Sequence, residues 1–256
     1  EKPAADKPAA EKPAPEKPDV VLKGYPIGDA LSGRAKEKKQ ELIAAYGGTE
    51  ATESAVISAL EWLKRYQLPD GTWSLSGSYS GGIDIKNENL VAVSAMALLA
   101  FQGHGSTHKF GPYQAVVARG WNMLIKQQDA TGKFVSVCPG HHSEYTHAIA
   151  TMALCELYGM TKDETFKVPA EKALSYCFSS QSPQGGWRYN PKGLSDTSVT
   201  GWFLLALQSG RMAGLTVPHA NLARISAYLD TVTREGGIKY AYTPRVGPSL
   251  AMTAEG

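Results

Sequence analysis

Apolar positions along the chain follow two patterns that alternate. In the first, Val56, Ala59, Leu60 and Leu63 recur at i, i+3, i+4 and i+7, with Glu61, Lys64 and Arg65 on the opposite side. That spacing predicts a half-exposed amphipathic helix. Ala173, Leu174 and Cys177 form a similar stripe, and Pro169 suits the first turn of that helix. In the second pattern the run is apolar nearly all round. Ser94 is the one polar residue of 90–101, Thr151 and Glu156 interrupt 148–157, and Thr200 interrupts 199–207. A helix without a polar face belongs in an interior. These runs fall short of the roughly 20 residues that a membrane span needs, so burial in protein is expected.

The joints between the two patterns share a motif: Gln, three residues, Gly, one residue, aromatic. It reads Gln67–Gly71–Trp73, Gln128–Gly132–Phe134 and Gln181–Gly185–Trp187. A worn fourth copy, Gly236–Gly237–Ile238, keeps the glycine but lacks the Gln and the aromatic. The glycines lie 61, 53 and 51 residues apart. A period of that size predicts an array in which each α-hairpin buries its apolar face against the next. Gly71, Gly132 and Gly185 are expected to be the left-handed residues that stop the outer helices. The three aromatics are expected to pack rather than to form a ligand ladder.

The remaining chain divides simply. Residues 1–18 are pentads built on Glu/Asp-Lys-Pro, in which each acid is cancelled by a lysine, and they predict a disordered tether. Residues 19–53 read as a lead-in ending in Gly47-Gly48-Thr49, a turn and cap for the first helix. Residues 54–256 carry the hairpins. Because Pro248 to Met252 begins what reads as a fourth inner helix, the array is expected to be incomplete. The net charge of +2 has no basic blocks and disfavours nucleic acid as a partner. Of the three cysteines, Cys155 and Cys177 lie on apolar helix faces and read as small core residues. No secretory signal or membrane-length segment is visible. No partner pair with zinc-like spacing accompanies Cys138 with His141 and His142, or His104 with His108, and both groups read as loop segments, so no metal site and no cofactor are expected. The glycine-rich 76–82 stretch lacks the lysine of a phosphate loop and reads as a connector.

The motif and its paired helices resemble the α/α-toroid superfamily of squalene and terpene cyclases and protein prenyltransferase β subunits. The resemblance covers roughly residues 49–256. The runs Tyr145–Thr151 and Asp196–Gly201 look like a bacterial branch of squalene-cyclase-like repeat proteins. It implies an all-α toroid with inner and outer helix rings around a central cavity. The family's chemistry is interrupted here. In squalene–hopene-type cyclases this inner helix opens with Asp-x-Asp-Asp-Thr, and the aligned residues are Gly193, Leu194, Ser195, Asp196 and Thr197, with Ser195 in the acid's place. A serine cannot protonate an alkene. In prenyltransferases the same helix supplies Asp-x-Cys to zinc, and here Ser198 stands in the thiolate's place after Asp196 and Thr197.

The resemblance therefore implies the fold without either reaction. Two function classes follow: a domain holding an apolar, isoprenoid-like molecule in its cavity, or a non-catalytic protein or peptide interaction module on a Pro-rich tether. The cavity residues expected from the inner-helix starts are Asn89, Tyr145, His147, Asp196 and Trp202. Asn89, Tyr145 and Asp196 are equivalent helix starts when Gly103, Gly159 and Gly210 are aligned. Asp196 reads first as an N-cap and His147 first as a buried structural histidine, with the cavity role second for each.

Overall fold

The computed structural model describes residues 31–77, 79, 88–135 and 142–256. The proposed tether at 1–18, the first part of the lead-in, Cys138 and His141 lie outside the described residues. What is described is mostly helical: α1 (Lys36–Ala45), α2 (Glu50–Arg65), α3 (Leu90–Gly103), α4 (Gln114–Leu124), α5 (His142–Thr161), α6 (Glu164–Ser180), α7 (Thr197–Met212), α8 (His219–Val232) and α9 (Leu250–Glu255). The only sheet among the described residues is a two-stranded hairpin, β1 (Thr233–Arg234) with β2 (Lys239–Tyr240). None of these helices is long and apolar enough to cross a membrane.

Several starts are set by short polar side chains that satisfy the free amides of a first turn. Thr49 and Thr52 form a reciprocal cap on α2, as the Gly-Gly-Thr lead-in predicts. Asn89 caps α3, Asp163 α6, Asp196 α7 and Ser249 α9. Helix α6 begins at Glu164, so Pro169 lies inside it rather than in its first turn. The Asp163 cap sets that start. The proline gives up the helical hydrogen bond to the Thr165 carbonyl, and its own carbonyl accepts from Gln128 Nε2.

The largely apolar helices α3, α5 and α7 pack side by side in chain order, with the closest pairing between α5 and α7, and the short α9, none of whose residues is buried, follows on α7. The amphipathic helices flank them, α4 against α3, α6 against α5 and α7, and α8 against α7. One apolar cluster runs from Leu60 and Trp73 through α3, α5 and α7 to Ile225. Buried with it are Glu144, Glu156 and Asp196, the last described below, and each carboxylate has a cationic partner, as a buried charge requires. Glu144 accepts from Lys133 Nζ (2.7 Å) and Tyr176 OH (3.0 Å). Glu156 accepts from Arg34 Nη1 (2.7 Å) and Ser209 Oγ (3.3 Å).

The three motif copies make the same set of bonds. Each glycine closes a four-residue turn: Gly71 N–H to Leu68 O, Gly132 N–H to Asp129 O, and Gly185 N–H to Ser182 O. Each glutamine spends both carboxamide hydrogens. Gln67 Nε2 donates to Gly71 O (3.0 Å) and Val116 O (2.9 Å). Gln128 donates to Gly132 O (3.0 Å) and Pro169 O (2.9 Å), and Gln181 to Gly185 O (2.7 Å) and Asn221 O (3.0 Å). One hydrogen bond holds the turn and the other holds the next outer helix.

The glycines are not helix stops. Arg65, Leu124 and Ser180 end their helices several residues earlier. The φ angles of +96°, +91° and +101° suit glycine, and a Cβ there would collide with the carbonyl oxygen of Arg119, Lys172 or Arg224 on the next outer helix. The glycine is required by close approach as well as by conformation. Gly237 offers a control, since its φ is +98° with open space where a Cβ would go. Gly185→Ala is expected to lower stability by about 3 kcal/mol or more, and Gly237→Ala by about 1–2 kcal/mol. Urea denaturation of both variants checks this; equal losses would remove the close-approach argument.

Candidate functional site

The aromatic of each motif copy places its backbone N–H against a side chain on the following inner helix. Trp73 N–H donates to Ser94 Oγ (3.0 Å), Phe134 N–H to His147 Nδ1 (3.1 Å) and Trp187 N–H to Thr200 Oγ1 (3.0 Å). The fourth turn follows suit, with Tyr240 N–H donating to Thr253 Oγ1 (3.1 Å). The worn copy therefore retains an aromatic, Tyr240, displaced past Ile238 by the altered glycine pair. Trp73 and Trp187 also send their indole N–H to a carbonyl of the preceding outer helix, Leu63 O (2.7 Å) and Cys177 O (3.2 Å). Trp187 further stacks on Phe203 at 4.5 Å and 7°. All three motif aromatics are buried.

His147 is thus the counterpart of Ser94 and Thr200 rather than a cavity residue. Its Nδ1 accepts, which puts the proton on Nε2, and that N–H faces Ala173 O at 3.1 Å on α6. Thr151 Oγ1 (3.2 Å) and Cys177 Sγ (3.3 Å) surround the same nitrogen. The ring is wholly buried, and this burial pulls its pKa down to about 3, with Lys133 acting in the same direction. Cys155 and Cys177 are free thiols in the core, each pushed up by burial and so held as neutral thiols.

Asp196 is also fully buried. Its Oδ1 accepts from Val199 N–H (2.8 Å) as the cap of α7, and its Oδ2 accepts from Tyr242 OH (2.8 Å). Arg188 Nε lies 3.2 Å from Oδ2, an ion pair not aligned as a hydrogen bond. Burial raises the carboxyl above its ordinary pKa, opposed by the Val199 amide, Tyr242 and Arg188. The Arg188 guanidinium sits over the Tyr189 and Tyr242 rings (5.0 and 5.6 Å), whose hydroxyls meet at 2.5 Å. Ser195 is also buried, bonded to Ser182 Oγ (2.7 Å) and Gly186 N–H (3.1 Å). Neither side chain opens onto space that a substrate could fill.

The other inner-helix starts are used sideways. Asn89 Nδ2 donates to Thr146 Oγ1 (2.7 Å), linking α3 to α5, and Tyr145 OH donates to Ser198 Oγ (2.9 Å), linking α5 to α7. Thr197 Oγ1 continues the series to Ala241 O (2.6 Å). Tyr145 lies in the first turn of α5, which begins at His142, so it is not the positional equivalent of the caps Asn89 and Asp196. A free polar ring at these starts is replaced by a chain of ties.

Trp202 differs from the other four. It lines a cavity of about 380 Å³ between α7 and α9 together with Ser198, Gly201, Leu204, Leu205 and Glu255. The structure thus gathers Trp202, Ser198 and, through Ser198, Tyr145 at one place, while Asn89 and His147 lie elsewhere. Sequence reasoning missed Arg188, Tyr189 and Tyr242. The one signal for them was the offset of 53 residues that relates Tyr189 to Tyr242 as it relates Trp187 to Tyr240. Among the described residues no group of three or more His, Cys, Asp or Glu side chains is placed to hold a metal ion. The sequence matches no known protein-family profile and no curated protein.

The buried neutral histidine makes stability depend on pH. A folded pKa of about 3 against an ordinary 6.5 means that only the unfolded chain takes up the proton between those values. The contribution is intact above pH 6.5 and is lost as pH falls towards 3. Wild-type protein is expected to lose about 2 kcal/mol between pH 7 and pH 5 through this residue. His147→Gln, which does not titrate, should lack that component. Denaturant unfolding at the two pH values checks the difference in slope.

Proposed function

We propose that this chain is a non-catalytic binding scaffold of the squalene-cyclase and prenyltransferase-like α/α-toroid type, holding an apolar, isoprenoid-like molecule beside Trp202. Support for the scaffold comes from helices that alternate in chain order, joined by turns with one set of glutamine, glycine and aromatic bonds. The observation that carries the binding reading is how the five expected cavity residues are used. Asn89, His147 and Asp196 are consumed by internal hydrogen bonds, and Tyr145 ties α5 to α7. Trp202 is left on a mainly apolar cavity, where an indole face and two leucines suit a hydrocarbon and Ser198 and Glu255 supply a polar rim.

The acid and thiolate that would drive the family's reactions are replaced by Ser195 and Ser198. A ligand held here would be bound and released unchanged. A second reading, a peptide interaction module, is favoured by a different observation. Trp62, Tyr66 and Tyr79 contact one another edge to face or tilted and border a 280 Å³ pocket with Trp73, Leu75 and Met96. Exposed aromatic clusters of this kind anchor protein partners.

Titration with farnesol, followed by tryptophan fluorescence, separates the two. Saturable binding is expected, weakened about tenfold or more in Trp202→Ala, a loss of about 1.4 kcal/mol. Mass spectrometry of the incubated mixture should return farnesol unaltered. Binding untouched by Trp202→Ala, or a converted product, would overturn the proposal.

A further inference from the structure

A cavity larger than the one beside Trp202 lies away from α7. It measures about 740 Å³ and lies where the lead-in helix α1 and helix α2 meet the loop between α3 and α4. A volume of that order accommodates a small organic molecule. Its walls divide into two kinds of chemistry. Ile43 and Ile57 from α1 and α2, with Phe110 and Pro112 from the loop, form an apolar side. Ile57 and Phe110 are 47% and 46% exposed, an unusual outlay of large apolar surface around one opening. Arg34, Lys39, Glu53 and His104 form the other side.

The polar side has donors in excess. Glu53 is already engaged by Lys39 Nζ at 2.9 Å, and the Glu156 carboxylate by Arg34 Nη1 at 2.7 Å. An ammonium has three N–H bonds and a guanidinium five, so each cation keeps donors beyond its one carboxylate. His104 adds a neutral group. Its Nδ1 is buried and lacks a hydrogen-bond partner among the described residues. Burial holds this imidazole below its ordinary pKa, and the nearby Lys39 ammonium acts in the same direction. In the Nδ1–H form it is a third donor. A buried polar atom left without a partner is costly, and a ligand oxygen would relieve it.

We propose that this cavity is a binding site for a small amphipathic carboxylate, its acid group met by Arg34, Lys39 and His104 and its apolar body by Ile43, Ile57 and Phe110. A neutral alcohol would forgo the charge-assisted bonds, and a cation would meet Arg34 and Lys39 directly. The site is separate from the cavity beside Trp202, and the inference does not rest on the function proposed there.

The test is calorimetric titration of the full chain with decanoate, decanol and decyltrimethylammonium, each below its micellar concentration. Decanoate is expected to bind at one site, decanol about tenfold more weakly, and the cation undetectably. Lys39→Gln should weaken decanoate about tenfold, and Ile57→Glu, which sets a second carboxylate against the ligand at an exposed position, should abolish binding. Thermal unfolding by circular dichroism should show both variants folded, so that a lost signal reports the site. Trp202→Ala should leave decanoate binding unchanged. Absence of binding, equal affinity for decanoate and decanol, indifference to both variants, or loss of binding in Trp202→Ala would each overturn the inference.

Discussion

The fold depends on a carboxamide with two hydrogens and two places to put them. At each turn the glutamine Nε2 reaches the carbonyl of its own glycine and a carbonyl early in the next outer helix. Either bond alone is worth about 1 kcal/mol, but losing the side chain would leave two inward-facing acceptors unpaired. The second bond is possible only because the glycine lets the turn lie directly on that helix. Glutamine and glycine are thus two halves of one contact. Where space permits, the carboxamide oxygen is used as well, by Arg119 at Gln67 and by Asn221 at Gln181. The contact always points forward along the chain, so every hairpin is seated by the one before it.

A second constraint acts from the inside. The N–H of each turn aromatic needs an acceptor in a dry interior, and the inner helix provides one at Ser94, His147, Thr200 and Thr253. Three are hydroxyls. The imidazole stands opposite Phe134, which among the three full motif copies is the aromatic without an indole N–H. There the ring's own N–H reaches the Ala173 carbonyl on α6, the outer helix that follows the turn, whereas the tryptophan indoles at the other two turns bond the outer helix that precedes them. His147 therefore looks chemical in the sequence and proves to be a fastener between its turn and α6.

Much of the scaffold was legible because it follows from periodicity. The alternation of amphipathic and all-apolar runs located the helices, and Thr49 and Asp196 announced caps that the structure contains. The site was less legible. Asp196, Asn89 and Tyr145 sit where polar side chains can face either a cavity or a neighbouring helix, and spacing along one helix does not distinguish these outcomes. Aligning on Gly103, Gly159 and Gly210 also put Tyr145 out of step with the caps. The register is set by the buried N–H acceptors instead. Pro169 misled for a related reason: a proline that suits a helix start also survives inside a helix whose cap lies further upstream. Arg188 and Tyr242 were invisible because their meeting depends on how two turns converge, which no local pattern encodes.

The separation between each aromatic and its inner-helix acceptor is 13 residues at three turns and 21 at the first. The additional length lies wholly in the connector after Trp73, and it leaves both the Trp73–Ser94 bond and the Gln67 contacts in place. The array therefore tolerates changes of length at one kind of junction and resists them at another. An insertion between a glutamine and its glycine would unseat the following helix, whereas the stretch after an aromatic is a port through which foreign sequence can be grafted without disturbing the register. The chain itself already carries one such enlargement, in the longer stretch of sequence between Trp73 and α3.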